Sequence, residues 1–200
     1  MKNLKSRAFV GLMSALALLG GIALLVYAAV IIGTNGADVI QGTSASDLIR
    51  GMGGGDTIYG NGHSDFLYGD CQVTCPTGHT AGNDIIYGGD GPDRIFGEAG
   101  ADRLFGGLGN DTIRGGPGND IIGDDNGDGF CTFGEEPGSD TIYGDADDDL
   151  ICGGDGHDTI DGGAGNDTIW PGRGPNRVNA GDGNDTINLD PLSSRDIVDC

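Results

Sequence analysis

The sequence is poor in positive charge, and this limits the partners that the chain can have. Its 200 residues include 31 acidic and only 10 basic side chains, which gives a formal net charge of −21. A chain this acidic repels phosphate groups, so we expect no nucleic-acid partner. Cations are the partners that such an excess of carboxylates favours.

The sequence also lacks the motifs that mark common active sites. It contains no G-x-S-x-G, no Ser-His-Asp set and no metal-hydrolase motif. His63, Ser64 and Asp65 are consecutive, so they cannot share one face of a strand. We therefore predict that the chain is not an enzyme.

The N-terminus differs from the rest of the chain. Lys2, Lys5 and Arg7 precede an apolar run from Ala8 to Ile32, which is the pattern of a secretory signal. We predict a signal peptide over residues 1–28, and an uncleaved membrane anchor is the alternative, because 25 apolar residues are long enough to span a bilayer. Only in that case does the chain contact a membrane. All 31 acidic residues follow this segment but only 7 of the 10 basic ones do, so residues 29–200 carry −24.

From Gly33 onward the chain repeats every nine residues, as in GGAGNDTIW at 162–170. We count sixteen such units, interrupted by inserts at 69–78 and 124–134. The sixth position is Asp in fifteen units, with Asn176 the exception, and the eighth is Ile, Leu or Val in all sixteen. A period this regular predicts a solenoid in which each unit repeats one local structure.

The repeat predicts an all-β fold. A three-residue strand around position eight points that side chain inward, and the glycines before it permit a tight turn. Two units complete an 18-residue coil, and about eight coils stack into a parallel β-roll with two sheets. The sixth-position carboxylates then line up along the turns and repel one another, a repulsion that a divalent cation reverses. We therefore expect the chain to be unfolded without metal and folded with it.

The nonapeptide resembles the calcium-binding repeat G-G-x-G-x-D-x-U-x of the RTX (hemolysin-type) family, over residues 33–199. The resemblance implies several Ca²⁺ ions, each held by an Asp carboxylate and by carbonyl groups of the glycine-rich turns. It implies these ligands: Asp84, Asp93, Asp102, Asp111, Asp120, Asp140, Asp149, Asp158, Asp167 and Asp185. Four earlier units match less closely, because Thr, Met or Asn replaces the second Gly: those of Asp38, Asp47, Asp56 and Asp65. The unit PGRGPNRVN, which contains Asn176, departs most.

The segment DDNGDGFCTFGE, which starts at the first residue of the second insert, resembles the calcium loop of an EF-hand. The spacing D-x-N-x-D-G-x5-E implies these ligands: Asp124, Asn126, Asp128, Phe130 through its carbonyl, Thr132 and Glu135. A strand-like IIG precedes the loop, and Pro137 and Gly138 follow it, so the two EF-hand helices are missing. A structural clamp is therefore the expected role.

The five cysteines fit an oxidising compartment. Cys71 and Cys75 are close enough in sequence for a local disulfide. Cys131 lies in the second insert, and Cys152 ends a unit at the same edge of the roll one coil later. These two cysteines are therefore also expected to form a disulfide. Cys200 is left over.

Ninth-position side chains are expected to face outward. Tyr59, Tyr87 and Phe105 fall on alternate units and predict one external ladder, and Tyr68 and Phe96 begin a second. Such ladders stabilise a roll by stacking, or they offer a docking surface for a partner, a cell envelope or another copy.

These features predict an exported, calcium-folded β-roll with a structural or adhesive role at the cell surface or in the extracellular matrix. Two alternatives remain open. The chain is a self-assembling filament or surface-layer subunit, or it is a calcium-dependent folding module for a separate enzyme.

Overall fold

The computed structural model describes residues 9–10, 28–71, 80–123, 131, 137–190 and 196–199. All of its regular structure is β-strand within those ranges. No helix of the described ranges has the length and apolar character that a membrane crossing requires.

Twenty short strands follow one another along the chain. In order, they are β1 (Phe9–Val10), β2 (Val30–Ile32), β3 (Val39–Gln41), β4 (Leu48–Met52), β5 (Thr57–Gly62), β6 (Phe66–Asp70), β7 (Ile85–Asp90), β8 (Arg94–Phe96), β9 (Arg103–Leu108), β10 (Thr112–Pro117), β11 (Ile121–Ile122), β12 (Pro137–Gly138), β13 (Thr141–Ala146), β14 (Leu150–Cys152), β15 (Asp155–Gly156), β16 (Thr159–Ala164), β17 (Thr168–Trp170), β18 (Arg177–Asp182), β19 (Thr186–Ile187) and β20 (Ile197–Asp199).

The strands alternate between two sheets, as expected for a solenoid with two strands in each coil. The larger sheet has ten strands in the order β1-β2-β4-β6-β8-β10-β13-β16-β18-β20. The smaller has eight, in the order β19-β17-β14-β11-β9-β7-β5-β3, and β12 pairs with β15 separately. All of these pairings are parallel except that of β1 with β2. The predicted parallel β-roll of about eight coils is confirmed.

The register confirms the repeat and both inserts. Residues one coil apart face each other, so Ile142 pairs with Ile160. Across the first insert Ile58 pairs with Ile86, and across the second Ile113 pairs with Ile142. The ten and eleven extra residues therefore do not shift the register of the coils. The predicted bounds of the first insert, 69–78, are wrong at the start, because Gly69 and Asp70 belong to β6 and Asp70 pairs with Met52.

Several strands are longer than the three residues that the pattern predicts. β7, for example, runs through the following turn, and Gly89 pairs with Gly107 of the next coil. Both glycines have positive φ, at 112° and 92°, and a Cβ on Gly107 would collide with the carbonyl oxygen of Gly89. The turns stack closely enough to continue the ladder because these positions lack side chains.

The core is one column of eighth-position side chains between the two sheets. Those from Ile40 to Val178 are at most 2% exposed, and Ile31 extends the column at its start. Ile187 is only partly buried and Val198 is 36% exposed, so the expectation that all sixteen are buried is wrong at these two positions. Both lie on the last strands of their sheets, where the order of strands ends.

Candidate metal centres

The sixth-position side chains form two buried columns along the turns. From position 38 to position 167 these aspartates are between 1% and 8% exposed. Each lies directly before a strand, so the stacking of the strands also stacks the carboxylates. We call the columns the aspartate ladders. The first contains Asp38, Asp56, Asp84, Asp102, Asp120, Asp149, Asp167 and Asp185, and the second contains Asp47, Asp65, Asp93, Asp111, Asp140, Asp158, Asn176 and Asp196.

One oxygen of each side chain joins neighbouring coils. The backbone N–H of Asp84 donates to Oδ1 of Asp102 at 2.7 Å, and the N–H of Asp102 donates to Oδ1 of Asp120 at 2.8 Å. The same bond recurs through both ladders at 2.6 to 3.0 Å. Oδ1 is therefore a structural acceptor that ties each coil to the one before it.

The second oxygen of ten of these carboxylates is buried without a hydrogen-bond partner among the described residues. They are Asp56, Asp65, Asp84, Asp93, Asp102, Asp111, Asp120, Asp149, Asp158 and Asp167. Leaving an ionised carboxylate oxygen in this state is costly, since buried polar atoms in folded proteins are almost always paired. Each of these Oδ2 atoms therefore has room in its bonding for a partner from outside the chain, such as a cation, or for a proton.

In most of these turns, Oδ2 and a backbone carbonyl oxygen of the next coil lie on either side of the first glycine of the turn. A Cβ placed on Gly153 would lie 3.0 Å from Oδ2 of Asp158 and 2.5 Å from the carbonyl oxygen of Pro171, one coil on. Oδ2 of Asp93 and the carbonyl of Gly106 converge in the same way on the position of a Cβ on Gly88. Oδ2 and the carbonyl oxygen are both acceptors, so they cannot form a hydrogen bond with each other. Carboxylate and carbonyl oxygens are, however, the ligands that Ca²⁺ takes.

The donor set fits calcium and not a thiolate or imidazole metal. No group of three or more His, Cys, Asp or Glu side chains that could hold a metal occurs in the described part of the chain. A cation at the ladders would have single carboxylates and backbone carbonyls as its ligands, and all of these are oxygen ligands. The turn geometry fits the ions that the sequence implies.

Burial raises the pKa of these carboxyl groups far above the ordinary value of 3.8. The pKa of Asp84 and of Asp120 is about 8, because desolvation outweighs the backbone hydrogen bond that lowers it. Neighbouring carboxylates raise it further. The pKa is about 7 for Asp56, Asp93, Asp140, Asp149 and Asp158, about 6 for Asp65 and Asp102, and raised for Asp111 and Asp167.

The four weaker units at the start of the repeat fall into two classes. In the turn of Asp38, Oδ2 accepts from the backbone N–H of Thr34 at 2.6 Å and from its hydroxyl at 2.8 Å. In the turn of Asp47, Oδ2 accepts from the N–H of Thr43. The units of Asp56 and Asp65 differ, because their Oδ2 atoms are as unpaired as those of the later units.

The unit that lacks the aspartate satisfies its turn with an amide. Oδ1 of Asn176 accepts from the N–H of Asp158 at 2.9 Å, so it occupies the ladder as an aspartate does. Its Nδ2 donates to the carbonyl oxygens of Pro171 at 3.1 Å and of Gly172 at 3.4 Å. Sequence reasoning identified the departure but not this hydrogen bonding.

The predicted EF-hand-like loop lies outside the described residues, and so do Asp124, Asn126, Asp128, Phe130, Thr132 and Glu135. One cysteine in this segment is described. Cys131 is bonded to Cys152 with a Cα–Cα distance of 5.5 Å, which confirms the predicted pair. Cys71 is also disulfide-bonded, while Cys75, its predicted partner, lies outside the described ranges.

The aromatic ladders are confirmed. Tyr59 stacks on Tyr87 at 5.1 Å, Tyr87 on Phe105 at 4.8 Å, and Tyr68 on Phe96 at 4.8 Å between ring centroids. Phe105 is only 2% exposed, against the expectation of an exposed ladder. The ring of Tyr87 lies against it.

The outer face of the larger sheet also pairs arginines with aromatic rings, which the sequence analysis missed. The guanidinium of Arg94 lies 5.1 Å from the ring centroid of Phe66, and that of Arg50 lies 5.5 Å from Tyr68. The signal was present, because the seventh- and ninth-position side chains of alternate units lie on the outer face of the same sheet, one coil apart. We call Arg50, Phe66, Tyr68, Arg94 and Phe96 the arginine–aromatic face.

Comparison with known proteins identifies the repeat. A family model described as RTX calcium-binding nonapeptide repeat (4 copies) matches at residues 29–44, 41–70, 80–113, 88–122, 99–129, 136–169 and 161–190. These matches cover well over half of the chain. A search of curated proteins finds no match.

Proposed function

Since the chain belongs to the family of RTX calcium-binding nonapeptide repeats, we propose that it is an exported β-roll, folded by calcium, with a structural or adhesive role at the cell surface or in the extracellular matrix. The observation that carries the proposal is the row of ten buried Oδ2 atoms without hydrogen-bond partners among the described residues. Calcium supplies the positive charge that these oxygens and the turn carbonyls need. The proposed ligands are the ladder aspartates that the sequence analysis named, except Asp38 and Asp47, whose Oδ2 atoms already accept hydrogen bonds.

The inserted loop is proposed as a calcium site of a second geometry. Its support is the spacing of Asp124, Asn126, Asp128 and Glu135, which is that of an EF-hand loop. The disulfide between Cys131 and Cys152 fastens this segment to β14. A loop held in this way acts as a clamp on one coil.

Export is supported by the disulfides as well as by the N-terminal segment. Bonds such as Cys131–Cys152 form and persist in oxidising compartments. We propose that residues 1–28 are removed as a signal peptide. Cell fractionation followed by N-terminal sequencing of the mature chain tests this, and we expect the extracellular or surface fraction to begin at Ala29. A chain that stays in the cytoplasm with Met1 intact would contradict export.

Adhesion is supported by the arginine–aromatic face. Arg50 and Arg94 are exposed, and Phe66 is 39% exposed, on a chain whose other charges are almost all negative. A flat sheet of cationic and aromatic groups is suited to contact with an anionic surface.

The adhesive role is tested by sedimentation of the calcium-loaded protein with cell envelopes. We expect Arg50→Gln combined with Arg94→Gln to reduce the bound fraction several-fold. Arg103→Gln is the matched control, because Arg103 lies 6.0 Å from the ring of Phe105 on the smaller sheet. Equal binding by all three proteins would reject the arginine–aromatic face as the adhesive surface.

Self-assembly is a second candidate, favoured by exposed apolar residues on strands at opposite ends of the roll. Val39 is 74% exposed on β3 at the edge of the smaller sheet, and Ile197 is 63% exposed on β20 at the edge of the larger. Edge strands are templates for pairing with another chain. Calcium-dependent growth of light scattering would favour a filament, and a constant monomer signal would exclude it.

A further inference from the structure

Three turns of the roll differ from ten others in how their ladder side chains are satisfied. They are the turns of Asp38, Asp47 and Asn176, in which N–H, O–H or NH₂ groups of the same turn bond the polar atoms that face each other. In ten other turns, Oδ2 accepts no hydrogen bond from the described residues. From this contrast we infer that the three turns take no cation, because the chain's own donors fill the place of the ion. This inference rests on the proposed function, since it presumes that calcium occupies the other turns.

The amide of Asn176 has the polarity that this role requires. Its Oδ1 faces the N–H of Asp158, so its Nδ2 must be the atom that faces the carbonyls of Pro171 and Gly172. The reverse orientation would set a donor against a donor and an acceptor against two acceptors. Asn and Asp have the same shape, so the substitution replaces a carboxylate oxygen with two N–H donors and changes little else. A cation at Asn176 would meet N–H donors and no negative charge, and the carbonyl oxygens of Pro171 and Gly172 already accept hydrogen bonds.

In the turns of Asp38 and Asp47, the chain's own donors also satisfy the ladder side chain, but the donors include the backbone N–H and do not belong to a substituted ladder side chain. Their second residues are Thr34 and Thr43, and neither has a positive φ. The second residues of the next two turns do, with Met52 at 91° and Asn61 at 83°. A β-branched residue resists positive φ, so the threonine turns adopt another backbone conformation. In that conformation the backbone N–H donates to Oδ2, whereas Oδ2 is unpaired at Asp56 and Asp65.

The two routes are independent of each other, and they occur toward opposite ends of the repeat. Gly172 has a φ of 82°, so the turn of Asn176 keeps the conformation of the cation-requiring turns and changes the side chain instead. The threonine turns keep the aspartate and change the backbone. Cation-requiring turns therefore begin at Asp56, and the coils before it close without calcium.

Counting bound calcium ions by native mass spectrometry tests the inference. We expect Asn176→Asp to bind one ion more than the wild type. Asn166→Asp is the matched control, because Asn166 is exposed at a fifth position and adds the same charge outside the ladder. We expect it to bind the wild-type number. An unchanged count in Asn176→Asp would overturn the role of Asn176.

A second pair of variants tests the threonine turns. Thr43→Gly permits positive φ and is expected to gain one ion, while Thr43→Val keeps the β-branch and the backbone N–H and is expected to gain none. An equal count in both variants would overturn the backbone route.

Hydrogen exchange of the side-chain amides gives a readout that needs no ion count. In the folded protein, the NH₂ of Asn176 is expected to exchange at least tenfold more slowly than that of the exposed Asn110. Rapid exchange at Asn176 would overturn its assigned bonds. A wild-type protein that binds no calcium would instead overturn the proposed function, and the exchange rate would still decide how the turn of Asn176 is closed.

Discussion

Two kinds of buried column run along the roll, and they depend on their surroundings in opposite ways. The core column is made of side chains such as Ile58 and Ile95, both 0% exposed, and the aspartate ladders contain Asp56 and Asp93, both 1% exposed. Each repeats at the same coil spacing and is equally hidden from water. The core is stabilised by burial itself, whereas burial of the carboxylates is unfavourable until a positive charge or a proton reaches Oδ2. The same coil therefore contains one unconditional and one conditional source of stability.

This difference explains how the fold can respond to calcium without any moving part. The core column sets the register in which neighbouring strands pair. The charge state of the aspartate ladders determines whether the free energy of folding is favourable. Without a cation, ten ladder oxygens have no partner among the described residues, so we expect the response to calcium to be cooperative along the roll. The predictions below separate the two columns, from the largest expected effect to the smallest.

Acid is expected to replace calcium at the ladders. Carboxyl groups with folded-state pKa values of about 6 to 8, against 3.8 in the unfolded chain, bind protons more tightly when the chain is folded. Their contribution to stability is therefore fully present below about pH 4 and is lost as the pH rises through 6 to 8. In chelator, circular dichroism is expected to show β-structure at pH 4.5–5 and its loss by about pH 8. With saturating calcium the signal should be constant, and a metal-free signal that grows with pH would contradict the account.

A truncation in the core is expected to cost stability whatever the metal content. Ile95→Ala removes a fully buried side chain from β8, and such changes destabilise by about 2–5 kcal/mol. Calcium-saturated chemical denaturation measures the loss. Ile197→Ala, at a side chain that is 63% exposed, is the control and is expected to change stability by less than about 0.5 kcal/mol. Equal losses in both variants would mean that the column is not the core.

Substitutions of a ladder aspartate are expected to distinguish the contributions of Oδ1 and Oδ2 to stability and to calcium binding. Asp102→Ala removes both the acceptor for the N–H of Asp84 and the unpaired Oδ2, and it leaves that N–H buried, at a cost of about 1–3 kcal/mol. Asp102→Asn keeps the acceptor and is expected to bind one ion fewer. With calcium present, it is expected to lose less stability than Asp102→Ala. Its stability in chelator is expected to exceed that of the wild type. If Asn is as damaging as Ala in both conditions, the distinction between Oδ1 and Oδ2 is wrong.

The aromatic ladder is expected to contribute least. Tyr87 stacks on both Tyr59 and Phe105, and aromatic pairs contribute about 0.5–1.5 kcal/mol beyond the burial of their area. Tyr87→Leu keeps an apolar side chain and loses the stacking, so its free energy of unfolding is expected to fall by about that amount. The ion count is expected to stay at the wild-type value, and a change in it would connect the outer face to the ladders.

The sequence was sufficient for the features that depend on period alone. A fixed spacing of Asp and Ile specifies two strands in each coil, a column of eighth positions inside and a column of sixth positions at the turns. The lengths of both inserts followed as well, because the nine-residue register resumes after each. These features need only the alternation of a strand and the stacking of coils.

The features that depend on individual atoms were not predictable. The pattern places Asp102 in a turn, but it does not say that Oδ1 bonds the previous coil and leaves Oδ2 alone. Nor does it distinguish Thr43 from Met52, which differ in φ and hence in where the N–H points. Phe105 is buried although its position faces outward, because packing on the outer face depends on neighbours in other coils.

The most direct test of the central claim is a calcium titration of the purified protein at pH 8, followed by circular dichroism, with magnesium as the control. We expect a disordered spectrum in chelator that turns into β-structure between about 10⁻⁴ and 10⁻³ M calcium, the range of extracellular modules, and no such change with magnesium. A chain that is already folded in chelator at pH 8 would contradict the account. The aspartate ladders would then be stable without a cation.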